Sequence, residues 1–215
     1  WDKPEETYYE DIYYLPPAHG MIVTADRLQL WRYWDIDPGR EIRYPDEQEY
    51  AAAYRALLTE AVRCRLRTEG PVGLSLSGGL DSGILAALLQ EASNAPVRTL
   101  SVGFRGLPGA VDESERALAS ARHLGTDHTA VVLGPGEFDA CFDDFLGAID
   151  QPSIDGINTW FVSKAAREQG LKVAVSGLGG DELFGGYPAF RDVPCWVRRL
   201  KLVARMPLLG EAFRI

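Results

Sequence analysis

The sequence predicts an α/β fold: a mostly parallel sheet flanked by helices, with a short amino-terminal appendage. Three observations carry this expectation. Short apolar runs at Val72–Leu76, Val97–Val102, Thr129–Leu133 and Lys172–Ser176 read as buried strands. Helical patterns fill the intervals between them, as parallel strands require of their crossover connections. Two of the four runs open directly into glycine-rich turns, and functional loops gather beyond the carboxyl ends of such strands.

Taken in order, residues 1–45 are rich in Tyr, Trp and Pro and show no long helical period. Met21–Thr24 and Leu28–Trp34 read as short strands joined by the polar turn Ala25-Asp26-Arg27. This part reads as an appendage or arriving linker, and residues 46–215 as a partial catalytic domain. From Tyr50 the period changes: Tyr50, Ala53, Tyr54, Leu57, Leu58, Ala61, Val62 and Leu66 make one apolar helical stripe. Asp46 and Glu47 near its start and Arg63, Arg65 and Arg67 near its end suit the helix dipole. After the strand at Val72–Leu76, Ile84, Leu85, Leu88 and Leu89 build a second helix. Glu113–Leu124 supplies a crossover helix, and further helical patterns lie around Phe138–Ile149 and Thr159–Gln169.

The 215 residues are 46% hydrophobic and 25% charged, which favours a folded protein over a disordered or fibrous one. Lys plus Arg number 22 against 31 Asp plus Glu, a formal charge of −9 that argues against a general nucleic-acid surface. Cys64, Cys141 and Cys195 lie far apart and form no CxxC pair, so a disulfide scaffold or zinc ribbon is not supported and a reducing, cytoplasmic setting is expected. No run approaches the roughly 20 apolar residues that span a bilayer. The opening WDKPEETYYEDIYY has no signal-peptide pattern, and the start at Trp1 suggests a fragment or processed chain. Neither a nucleic acid nor a membrane is expected as partner.

The strongest local constellation is Ser77-Gly78-Gly79-Leu80-Asp81-Ser82, between a strand and a helix. Adjacent glycines allow a tight turn and close approach of phosphate, while the helix start directs free N–H groups toward an anion. Ser77 and Ser82 can donate hydrogen bonds, and Asp81 can hold a divalent cation that offsets phosphate charge. By itself this segment also fits a structural turn with a helix cap. No GxxxxGK[ST] segment is present, and Gly177-Leu178-Gly179-Gly180-Asp181-Glu182 fails the dinucleotide GxGxxG pattern at Glu182. The second constellation, Ser176 to Tyr187 (SGLGGDELFGGY), also follows a strand. A parallel sheet brings such loops to one edge, so Asp81 and Asp181 can share a magnesium–phosphate cluster although 100 positions separate them. Glu182 is either a catalytic carboxylate or an organiser of the loop that accepts backbone hydrogen bonds.

SGGLDS, LSVGF at Leu100–Phe104, the acidic helical region Asp112–Leu124, LGTDH at Leu124–His128 and SGLGGDELFGGY together resemble the synthetase domain of the glutamine-dependent asparagine synthetase family. The resemblance covers about Pro45–Tyr187, and YYLPPAHGMIV and LQLWRYWDI look like the segment joining that domain to an upstream glutaminase domain. It implies an adenine nucleotide α-hydrolase-like sheet binding ATP and Mg2+. Ser77, Gly78, Gly79, Leu80, Asp81 and Ser82 would form the pyrophosphate loop, Val102 would present backbone groups to adenine, and Gly177 would lie near the nucleotide. Asp81 and Asp181 would coordinate magnesium, and Asp81, Asp181 and Glu182 are the catalytic candidates. The implied reaction is that of an ATP-dependent amide ligase: a carboxylate, aspartate or another small one, becomes an acyl-adenylate with release of pyrophosphate. Ammonia from the glutaminase domain then displaces AMP. A homodimer is compatible with this reading.

One departure bears on the acceptor. The usual asparagine-forming pattern is close to SGEGADELFGGY, so Leu178 stands where a functional glutamate is expected and Gly180 where alanine is common. Leucine neither binds an amino group electrostatically nor transfers a proton. Gln151–Thr159 departs from the usual acceptor segment as well. A divergent amidotransferase acting on another carboxylate and a non-catalytic nucleotide-binding regulatory or assembly module therefore remain open beside asparagine synthesis. A tRNA-modifying ATP pyrophosphatase is disfavoured by the acidic composition. None of the three cysteines stands where a processed glutaminase nucleophile would, so this chain is not expected to hydrolyse glutamine. His19, His123 and His128 form no compact metal motif, His128 being placed at the end of a turn. Lys164 reads as surface or scaffolding rather than a phosphate ligand, and Trp160 and Phe161 as packing residues. Trp196–Phe213 reads as the start of a larger helical region in which the family carries a functional lysine further on.

Overall fold

The computed structural model describes residues 5–106, 113–153 and 155–201. Its elements, in chain order, are β1 (His19–Val23), β2 (Leu28–Arg32), α1 (Glu47–Arg65), β3 (Val72–Ser75), α2 (Leu80–Ala92), β4 (Arg98–Phe104), α3 (Ser114–Leu124), β5 (Asp127–Leu133), α4 (Pro135–Ala148), α5 (Gly156–Glu168), β6 (Val173–Val175), α6 (Gly180–Phe184) and α7 (Ala189–Leu200). The chain divides into two compact units, residues 1–61 with 138–160 and residues 62–137 with 161–215. Asp112 and the part of the Trp196–Phe213 stretch beyond Lys201 lie outside the described residues. No helix among the described residues is long and apolar enough to cross a membrane.

In the first unit β1 and β2 form the expected antiparallel hairpin, closed by the Thr24 N–H donating to the Arg27 carbonyl at 2.8 Å. Gly20 faces Trp31 across the pair, and a Cβ there would lie 2.6 Å from the indole Cε2, so the glycine admits the ring over the backbone. The Tyr9 hydroxyl donates to the Asp150 carbonyl at 2.8 Å, tying the amino-terminal segment to the loop after α4. Asp46 caps α1, its Oδ1 accepting the Glu49 N–H at 2.9 Å. The expected apolar stripe of α1 is helical but largely open: Leu57 is 72% exposed, and Val62 alone in this helix is buried. Periodicity fixes which residues share a face; it does not supply the element that covers it.

The second unit holds a four-stranded, wholly parallel sheet in the order β5-β4-β3-β6. The parallel sheet predicted from the sequence is thus present, each strand within a few residues of its expected place. From β3 the chain winds outward through β4 to β5, then returns to place β6 on the other side of β3. α2 and α3 pack on the sheet and on each other, and residues 161–168 of α5 lie on the other face, as right-handed crossovers require. On that second face Leu100, Ala165 and Ala166 form a buried cluster with Val102, Val131, Val162 and Leu171. Leu74 and Leu76 at the root of the first glycine loop, and Leu89 of α2, are fully buried. Ala117 and Ala121 let α3 approach closely, with no exposed surface left on Ala117.

The sheet core sets a measurable stability. Leu100→Ala removes a side chain that is 1% exposed and is expected to cost about 2–5 kcal/mol in a denaturant titration.

Candidate functional site

The strand order creates one place where neighbouring loops diverge. β3 and β6 are adjacent, and their connections, Leu76–Gly79 and Ser176–Gly179, leave the same edge side by side before entering α2 and α6. The two loops touch through glycine. A Cβ on Gly177 would lie 3.0 Å from the backbone nitrogen of Ser82 and 3.3 Å from the Asp81 Cβ. A Cβ on Gly180 would lie 2.5 Å from Cγ and from Oδ2 of Asp81. The Asp81 side chain therefore lies on the backbone of the second loop, at the residue preceding Asp181. The two glycine loops singled out in the sequence are therefore neighbours at this edge of the sheet.

The first loop is braced by its own serines. The Ser82 hydroxyl donates to the Gly79 carbonyl at 3.2 Å and accepts the Ser77 N–H at 3.2 Å, and the two serine oxygens stand 3.0 Å apart. Since Ser82 has spent its proton, Ser77 is the donor between the two hydroxyls, and its oxygen accepts the Gly79 N–H at 3.3 Å. Both hydroxyls thus hold the turn closed, a task that precedes the phosphate contacts expected of them. The Gly83 N–H is bonded to the Gly79 carbonyl at 3.1 Å, whereas no side chain caps α2. Leu80, Asp81 and Ser82 accordingly carry the first, uncapped N–H groups of a 13-residue helix, the donors that bind an anion. Leu80 itself is 79% exposed. Gly78 sits at φ +76 with its Cα flush against Arg116 and Ala117 at the start of α3.

In the second loop Gly179 at φ +105 and Gly185 at φ +66 bracket the single turn of α6. The Asp181 carboxylate lies against Gly186, where a Cβ would overlap its Oδ1. Glu182 accepts a hydrogen bond from the Tyr187 hydroxyl at 2.9 Å, so it is held by a side chain rather than by the backbone donors expected. Asp181, Glu182 and Leu178 are all exposed.

Val102 lies in β4 where that strand outruns β3. The last link between them is the Leu76 N–H to the Leu100 carbonyl at 2.8 Å, and Val102, two residues on, points its backbone the same way beyond the end of the ladder. His128 corrects the sequence reading, which put it in a turn: it lies in β5, paired with Thr99. Its ring nitrogens contact the Thr99 hydroxyl at 2.9 Å and the Ser101 hydroxyl at 3.2 Å, on the sheet face opposite the Leu100 cluster. Thr99 also meets Thr126 at 2.9 Å. The ring is a half-buried bracket between strands. Lys164 pairs with Glu168, and Phe161 packs edge-on against Phe104 at 5.9 Å, the scaffolding roles expected. A polar cleft of about 310 Å³ opens at the opposite, amino-terminal edge of β4 and β5, lined by Arg98, Asp127, Glu168 and Gln169. Its Arg98 is engaged by the Gln169 carbonyl at 3.3 Å and no glycine loop reaches it.

Uncapped helix N–H groups, glycines that clear space and carboxylates on adjoining loops can together receive a polyphosphate with its counter-cation. Among the described residues no group of three or more His, Cys, Asp or Glu side chains forms a cage. Magnesium is commonly held by one or two carboxylates together with substrate phosphates, and Asp81 and Asp181 suit that donor set.

The chain is similar to several known proteins. The family model described as asparagine synthase matches residues 53–214. Amidase chry2 of Gibberella zeae is 32% identical over 89% of this chain and 31% of its own length. Asparagine synthetase [glutamine-hydrolyzing] 1 of Bacillus subtilis is also 32% identical, over 89% of this chain and 32% of its own. A putative asparagine synthetase of Methanocaldococcus jannaschii is 29% identical over 96% and 44%. The chain thus spans less than half the length of these curated relatives.

Burial holds the His128 imidazole below its ordinary pKa of 6.5. The unfolded chain then binds this proton more readily than the folded one, so stability contributed by the neutral ring is complete above pH 6.5 and declines as the pH falls below it. His128→Gln is expected to flatten the fall in Tm between pH 7 and lower pH, read by thermal melts across that range.

Proposed function

Because the chain belongs to the asparagine synthase family, we propose that it forms the ATP-activating part of an ATP-dependent amide ligase. Its sheet is parallel and flanked by helices, the form an adenine nucleotide α-hydrolase-like sheet would take. The observation that carries the proposal is the packing of Asp81 on Gly180, which unites the uncapped start of α2 with the acidic second loop.

In the proposed reaction a carboxylate oxygen of the acceptor attacks the α-phosphorus of ATP. The bond from that phosphorus to the bridging oxygen breaks, and its electron pair leaves with pyrophosphate. The product is a mixed anhydride with AMP. The nitrogen lone pair of ammonia then attacks the acyl carbon, AMP departs, and the nitrogen sheds a proton to give the amide. The backbone N–H groups of Leu80, Asp81 and Ser82 receive the phosphate oxygens. Val102 offers its backbone to adenine, and Gly78, Gly79 and Gly177 keep side chains out of the nucleotide's way. Asp81 and Asp181 would hold magnesium, which offsets the phosphate charge. Glu182, fixed by Tyr187, orders the loop that carries Asp181. Such preorganised donors act where charge develops, on the departing pyrophosphate.

Aspartate is the first acceptor to test, with ammonia delivered by a glutaminase domain of the parent protein. Leu178 favours a second reading. It is 77% exposed and presents an apolar surface at the position where the asparagine-forming pattern that the sequence resembles has a glutamate, so a carboxylate without an ammonium group at that spot is the alternative acceptor. The relatives carry both amidase and asparagine synthetase names.

Gly180→Ala is expected to push the Asp81 carboxylate from its place and weaken Mg2+-ATP binding roughly tenfold or more, the worth of a charged contact, in a calorimetric titration with an unchanged circular dichroism spectrum. The activity is tested on the full-length parent with Mg2+, ATP and ammonia, following pyrophosphate and product masses across carboxylates that include aspartate. Aspartate-dependent pyrophosphate release with asparagine as product is the expected result. Release with another carboxylate assigns the second reading, and ATP binding without any carboxylate-dependent release would contradict ligase function.

A further inference from the structure

The two glycine loops contribute Asp81, Asp181 and Glu182 and no lysine or arginine. A nucleoside triphosphate adds several more negative charges, of which a single divalent cation offsets only part. A cation does stand against the first loop, on a different element. Gly78 takes φ +76, a conformation suited to glycine, and a Cβ on it would lie 2.6 Å from the Arg116 Cβ and 2.9 Å from the Arg116 carbonyl carbon. The arginine side chain therefore springs from α3 alongside the turn that receives the phosphates. It is exposed, and no hydrogen bond or ion pair ties its guanidinium to another described residue. Arg32, Arg43 and Arg191, by contrast, are each paired with a nearby carboxylate.

We propose that Arg116 binds the β- and γ-phosphoryl oxygens of ATP and holds the pyrophosphate as it leaves. This rests on the reading of the site as an ATP pyrophosphatase. The guanidinium fork matches two phosphate oxygens at once, and it keeps its charge at any working pH. Negative charge grows on the β-phosphate as the bond to the α-phosphorus breaks, so a cation at that end stabilises the departing group more than the intact nucleotide. The uncapped N–H groups of α2 and the Arg116 guanidinium would then grip the polyphosphate from two elements. Because Gly78 lacks a Cβ, α3 comes close enough to deliver the arginine.

The test measures equilibrium binding of ATP, inorganic pyrophosphate and AMP, each with Mg2+, to the full chain and to Arg116→Met, Arg116→Lys and Arg122→Met. Arg122 is an exposed arginine further along the same helix and controls for net charge. Arg116→Met is expected to weaken ATP and pyrophosphate roughly ten- to hundredfold and to leave AMP within about twofold, with part of the loss recovered in Arg116→Lys. Arg122→Met is expected to bind all three as the unaltered chain does. Unchanged ATP and pyrophosphate binding in Arg116→Met, or an equal loss in Arg122→Met, would overturn the assignment of Arg116 alone. An unaltered chain that binds neither ATP nor pyrophosphate would overturn both this assignment and the ATP-pyrophosphatase reading beneath it.

Discussion

The arrangement depends on a close approach of backbones. β3 and β6 are neighbours on which the winding of the sheet reverses, and their loops can meet only because Gly177 and Gly180 carry no side chains. With a methyl group at 180 the Asp81 carboxylate could not occupy its present place. Leu74 and Leu76, both fully buried, fix the strand from which the first loop springs. Rigid apolar strands at the root and bare backbone at the tip are what let two segments 100 residues apart act as one surface.

That surface gathers like charges, which repel unless a cation arrives. The braces of the first loop are neutral, a pair of serine hydroxyls whose single protons are both committed within the turn. Glu182 is steadied by a phenol rather than by a cation. The loops are thereby ordered before any ligand enters, and their carboxylates remain available to a cation brought with the phosphates. Preorganisation of this kind lowers the cost of placing charge in the transition state. It also gives Arg116 its meaning: a charge that belongs to no described ion pair stands beside the turn that leads into the uncapped start of α2.

Much of this is legible in the sequence. The strands at Val72–Ser75 and Arg98–Phe104 announce themselves as apolar runs ending in glycine or leading toward it, and the crossover helix before Gly125 ends where a left-handed residue is needed. Asp81 and Asp181 stand out because each follows a strand and a glycine turn. Other features have no local signature. His128 sits in a polar LGTDH run that reads as a turn, and only pairing with Thr99 across the sheet makes it a strand residue. The apolar stripe of α1 is real as a pattern, yet Leu57 faces outward because covering a face requires a second element. Gly180 looks like one more turn glycine until Asp81 is seen lying on it, and Arg116 looks like one more surface charge until Gly78 is seen against it.

The central claim is that two loops joined through Asp81 and Gly180 form a single seat for Mg2+-ATP. A crystal structure with Mg2+ and a non-hydrolysable ATP analogue tests it most directly. The account predicts the triphosphate on the N–H groups of Leu80–Ser82, with a metal ion bridging its oxygens to both Asp81 and Asp181. A nucleotide bound away from the β3–β6 edge, or a metal ion held by neither aspartate, would contradict it.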